Sequence, residues 1–169
     1  RQVRRWVKDF RGLSVLDAGC GFEARLARTW VEEAKQTILL DVALSTQLQG
    51  HEKVQCVLGA LPQSLEQVPS SSVDVLLCLS VLEHLWEPEG ALRHFFRILK
   101  PQGVALLNVP SWRGKSFLEF SAFRLGWSPK SEMDDHKAYY DPKDLWPLLV
   151  RAGFLPSQID DVINKLTPQ

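Results

Sequence analysis

The chain has 169 residues, 45% of them hydrophobic and 24% charged, and its 20 Lys and Arg balance 20 Asp and Glu. This length and apolar fraction predict one domain, 1–169, with a sizeable core. Zero net charge removes the case for purely electrostatic nucleic-acid binding. No apolar run approaches a membrane span and no signal-peptide pattern opens the chain, so a cytoplasmic domain is expected, with neither membrane nor nucleic acid as partner.

Along Arg1–Arg11, Val3, Trp6, Val7 and Phe10 recur at helical spacing and predict a packed N-terminal helix with a solvated basic face. Apolar runs then predict strands at 13–17, 37–41, 54–58, 73–79 and 103–109, with helices near 22–35, 45–50, 62–68 and 88–99. Such alternation specifies an α/β fold, a Rossmann-like doubly wound and mostly parallel sheet. Helix 88–99 carries Leu92, Phe95, Phe96 and Leu99 as a core stripe, and Lys100-Pro101-Gln102-Gly103 ends it. Pro110–Pro129 contains Trp112, Phe117, Phe120, Phe123 and Trp127, which fits a short helix docked on the core, an aromatic-walled pocket, or both. Asp141 and Pro142 start a further helix carrying Leu145, Trp146, Leu148 and Leu149 to Gly153, and Asp160–Leu166 reads as helical. Cys20, Cys56 and Cys78 are odd in number and lack C-x-x-C spacing, which points to reduced, buried thiols.

The most informative stretch is Val15-Leu16-Asp17-Ala18-Gly19-Cys20-Gly21, an apolar strand ending in an acid and a glycine pair that opens the predicted helix 22–35. Glycines there let the backbone turn tightly and approach a ligand, while the helix would present its free N–H groups. Gly21-Phe22-Glu23-Ala24 also fits the dinucleotide pattern G-x-G-x-x-A, which keeps an NAD(P)-binding oxidoreductase open as an alternative. Asp17 argues for a different ligand. A carboxylate ~4 Å from a pyrophosphate is repelled by about 4 kcal/mol at an effective dielectric near 20. S-adenosylmethionine has no phosphate and brings an ammonium and a sulfonium, so the same acid attracts it. Asp41, ending the second strand, is placed to accept both ribose hydroxyls.

Val15–Gly21, Asp41 and Val73–Pro110 together resemble the class I S-adenosylmethionine-dependent methyltransferases. The resemblance implies S-adenosylmethionine as cofactor and methyl transfer to a small-molecule or glycan-type acceptor. Its cofactor contacts fall here on Asp17, Gly19, Cys20, Gly21, Asp41, Ala60, Leu61 and Ser80. Residues 110–140 would form an acceptor-side insert or lid. The chain departs from the family pattern in having Glu23 at the third glycine position, and Ala60 where an acid often meets adenine. The family's two further strands would have only Phe154–Gln169 to form them, so an incomplete C-terminal sheet edge is expected.

His84, in Leu82-Glu83-His84-Leu85, and His136, in Asp134-Asp135-His136-Lys137, are the candidate catalytic bases for a hydroxyl acceptor. The second string is similar to a segment of small-RNA 3′-end methyltransferases, which hold a divalent metal with Glu-x-x-Glu-His and a distant histidine. Ser80 stands where the first of those glutamates belongs, so no metal is expected. A non-catalytic S-adenosylmethionine-binding or partner-binding module is the other alternative.

Overall fold

The computed structural model describes residues 3–109 and 140–159. Five strands form one parallel sheet: β1 (Ser14–Ala18), β2 (Gln36–Asp41), β3 (Val54–Leu58), β4 (Val73–Leu79) and β5 (Leu99–Asn108), in the order β3-β2-β1-β4-β5. Among the described residues no strand follows β5. The register puts Asp41 beside Leu58 and Leu79 beside Asn108, so the carboxyl ends of the strands share one edge. The strand order reverses between β1 and β4, and a crevice opens outside the strand ends at such a switch point.

Alternation along the strands separates two cores. On one face Leu16, Ile38, Leu76 and Cys78 pack against α2 (Pro88–Ile98) and α3 (Pro142–Ala152). On the other, Val15, Leu39, Val75 and Leu77 meet Phe10, Ala27 and Trp30. Helix α2 begins with Pro88 in its first turn and buries Ala91, Leu92, Phe95 and Ile98. The expected stripe is corrected at Phe96, which is 48% exposed and meets Phe154 edge-on at 5.3 Å, while Leu99 is in the core as expected but as the first residue of β5. Helix α3 starts as expected at Asp141, whose N–H donates to Asp144 Oδ2 at 3.1 Å, and ends at Gly153 with φ 115°.

Three expected helices are replaced. Residues 22–35 form no α-helix but successive turns with a 3-10 turn at Ala27–Thr29. Ala24 has φ 44°, which breaks the first turn, and the Thr29 hydroxyl donates to the Leu26 carbonyl at 2.8 Å. The apolar spacing still fulfils its packing role: Ala24, Ala27, Trp30, Val31 and Ala34 are all buried, and Trp30 stacks on Phe10 at 5.1 Å. Residues 45–50 form turns, and 62–68 a 3-10 turn over Gln63–Gln67. The N-terminal helix is the single turn α1 (Val3–Trp6), held by Arg4, which reaches the Thr29 carbonyl at 2.6 Å and Glu33 at 2.7 Å. All three cysteines are free; Cys78 is buried, whereas Cys20 and Cys56 are only half-buried. The aromatic segment 110–139 and the final helix expected at Asp160–Leu166 lie outside the described residues.

Candidate functional site

The turn after β1 is assembled by its neighbours. Gly19 and Cys20 donate their N–H groups to the Leu40 carbonyl at 2.8 and 3.3 Å, fixing the turn to the end of β2. Gly19 has φ 79°, and a Cβ there would meet Val81 Cγ2 at 2.4 Å, so both conformation and space call for glycine. Gly21 has φ 74° and faces open space, where a ligand can approach the backbone. Its N–H donates to Asp41 Oδ2 at 2.8 Å, while the Val42 N–H donates to Asp41 Oδ1 at 2.7 Å. The expected helix N-terminus does not form, so the backbone donor at the turn is spent on aligning Asp41 instead.

Beside this turn lies an open crevice of about 560 Å³, walled by Asp17, Gly19, Cys20, Gly21, Phe22 and on through Leu26, and by Leu79 at the end of β4. Asp17 is 3% exposed. Burial pushes its carboxyl up to about 7, and the Asp41 charge adds to the effect. The Cys20 thiol is raised to about 12 by burial and by the same two acids, so it is no thiolate nucleophile at neutral pH. Two carboxylates at a glycine turn repel a pyrophosphate and favour a cation. This donor set fits the ammonium and sulfonium of S-adenosylmethionine, and Asp41, already aligned, keeps lone pairs for a ribose diol.

The other expected contacts are placed around the same edge but are not walls of this crevice. The Ala60 carbonyl accepts from both the N–H and the hydroxyl of Ser64, at 3.0 and 2.9 Å, and Leu61 follows it. Ser80 sits at the tip of β4 with φ 56°, and its N–H donates to the Asn108 carbonyl at 2.9 Å. His84 closes a 3-10 turn, Leu82–His84, directly after that tip, with its N–H on the Val81 carbonyl at 3.0 Å. His136 lies outside the described residues. Among the described residues no group of His, Cys, Asp and Glu is arranged to hold a metal ion, and no helix is long and apolar enough to cross a membrane.

Sequence reasoning did not find Phe22, Arg25, Leu26 and Leu79 as walls, nor Val81 under Gly19. Leu79 was signalled as the last apolar residue of β4. Val81 had no local signal, because its contact arises from β4 lying beside β1. Glu23, the departure from the family's third glycine, is paired with Arg25 at the crevice rim.

A five-stranded parallel sheet with an acid-flanked glycine turn at its switch point defines a Rossmann-like domain for a cationic nucleoside, the class I methyltransferase architecture. Solved structures agree with the fold: an S-adenosylmethionine-dependent methyltransferase from Archaeoglobus fulgidus superposes with a TM-score of 0.66 at 22% identity, covering 92% of this chain and 67% of that one. Another from Mesorhizobium loti gives 0.64 at 16% identity, covering 90% and 78%. The chain belongs to the methyltransferase-domain family, whose model matches residues 1–157, and it is an S-adenosylmethionine-dependent methyltransferase. Curated relatives include the ubiquinone biosynthesis O-methyltransferases of Idiomarina loihiensis, 32% identical over 90% of this chain and 65% of that protein, and of Rickettsia bellii, 23% identical over 98% and 71%. Family membership decides against the NAD(P)-binding oxidoreductase.

Proposed function

We propose that the chain methylates a hydroxyl group of a small-molecule acceptor. The observation that carries the cofactor side is the buried Asp17 beside Asp41 at a glycine turn. The acceptor side is supported by the relatives named O-methyltransferases. S-adenosylmethionine supplies a methyl carbon already activated by the adjoining positive sulfur. Asp17 and the turn Gly19–Gly21 hold the cationic end, Asp41 holds the ribose, and Ala60, Leu61 and Ser80 complete the edge. The protein's remaining task is alignment and exclusion of water, plus acceptance of the hydroxyl proton. His84 at the tip of β4 takes that proton, with His136 as the second candidate.

The test is transfer of a labelled methyl group from S-adenosylmethionine to panels of phenols, alcohols, glycans and amines. Labelled methyl ethers from a small phenol or alcohol are the expected product. Labelling confined to amines or to glycans overturns the acceptor class.

A further inference from the structure

S-adenosylmethionine ends in an amino acid, so a site with acids for its ammonium and sulfonium must still meet a carboxylate. The glycine turn has little to offer that group. No helix opens there, and four backbone N–H groups of the wall are already donated: Gly19 and Cys20 to the Leu40 carbonyl, Gly21 to Asp41, and Ala24 to the Gly21 carbonyl at 3.0 Å. The carboxylates of Asp17 and Glu23, on the same wall, repel an anion. Among the described residues that wall the crevice, Arg25 is the one cation.

The setting of Arg25 is made by the residue that departs from the family pattern. Where a third glycine would have no side chain, Glu23 accepts from Arg25 Nε through Oε2 at 2.5 Å. Glu23 is itself fixed from behind, because Arg28 Nε donates to its carbonyl at 3.2 Å. The Glu23 contact is made through Nε, and the terminal nitrogens of the guanidinium form a planar fork of N–H donors that matches a carboxylate. The Arg25 side chain is 84% exposed, and an exposed ion pair is weak. A ligand carboxylate can therefore share or take over the guanidinium without breaking a buried contact.

We infer that Arg25 binds the α-carboxylate of S-adenosylmethionine at the crevice rim, with Glu23 orienting the guanidinium, so that the site selects a cofactor carrying its whole amino-acid end. This rests on the reading of the crevice as the cofactor site. Ammonium and carboxylate are then met by opposite charges on one wall. That fixes which way the amino-acid end lies, and with it the direction in which the sulfonium presents its methyl group.

The experiment is calorimetric titration of the wild-type chain, Arg25→Ala and Arg25→Lys with S-adenosylmethionine and with its decarboxylated form, which keeps the nucleoside, the sulfonium and the amine. Arg25→Ala should weaken S-adenosylmethionine about tenfold. The decarboxylated form should bind as well as before or tighter, since removing a cation cannot repel a more cationic ligand. Arg25→Lys, which keeps the charge but not the fork, should recover part of the loss. Unchanged affinity for S-adenosylmethionine in Arg25→Ala, or an equal loss for both ligands, overturns the contact while leaving the crevice as the cofactor site. If Asp41→Ala leaves both affinities unchanged, the crevice is not the cofactor site and the Arg25 contact falls with it.

Discussion

Asp17 links cofactor binding to pH, and the size of the effect follows from its burial. Its carboxyl is raised from 3.8 to about 7 in the free protein. A cationic ligand binds the ionised form, so the fraction already ionised sets the apparent affinity. With a midpoint near 7, roughly one site in ten is ionised at pH 6 and nine in ten at pH 8, which makes a difference of about tenfold, or 1.4 kcal/mol. S-adenosylmethionine affinity, measured by calorimetry, should therefore rise about tenfold between pH 6 and 8 through Asp17 and flatten above. Titrations in buffers of different ionisation enthalpy should show about half a proton released per ligand bound at pH 7. Asp17→Asn should bind more weakly and lose this component; the difference between the two curves isolates Asp17 from any titration of the ligand itself. The unliganded protein shows the opposite side of the linkage. The folded state binds the extra proton between 3.8 and about 7, so stability falls as pH rises through that window, and Asp17→Asn should melt higher than wild type at pH 8. Identical pH dependence in wild type and Asp17→Asn would refute the reasoning.

Asp41→Ala should weaken S-adenosylmethionine by about 1.5–3 kcal/mol through lost hydrogen bonds to a charged acceptor; equal calorimetric affinities would count against its ribose role. Gly19→Ala should both destabilise the fold and impair binding, because the new methyl meets Val81 at 2.4 Å in a left-handed backbone. Adding Val81→Ala should recover only part of the loss in chemical denaturation. Phe95→Ala removes a fully buried ring beneath the sheet and should cost about 3–5 kcal/mol by the same measurement. His84→Asn should slow methylation of a hydroxyl acceptor about 10²–10⁴-fold with little change in cofactor affinity, which steady-state rates at saturating cofactor will show.

The first two strands were legible because each is an apolar run closed by a residue with its own meaning, Asp17 before the glycines and Asp41 at the second tip; the start of β5 was not, because Lys100-Pro101-Gln102-Gly103 reads as a turn and belongs to the strand. Asp17, Gly19, Gly21 and Asp41 could be grouped from residue type and order, and the fold does bring them to one edge. The helices at 22–35 and 45–50 were misread for a physical reason. Apolar spacing reports which side chains are buried, and Ala27, Trp30 and Ala34 satisfy that demand from a chain of turns as well as from a helix. Glu83, 1% exposed, gave no local sign of its burial, which depends on where the chain after β4 settles. Phe96 shows the reverse error: its place on the stripe of α2 reads as core, but the edge contact with Phe154 leaves half of it in water.

The stack of Phe10 on Trp30 and the reach of Arg4 to Thr29 and Glu33 tie the first residues to the segment 22–35. With no continuous helix to stiffen residues 22–35, the segment that leads away from the glycine turn is braced from outside, by α1 and the residues that follow it. The stretch that walls the crevice thus takes its bracing from Arg4 and Phe10, which are not among the walls themselves.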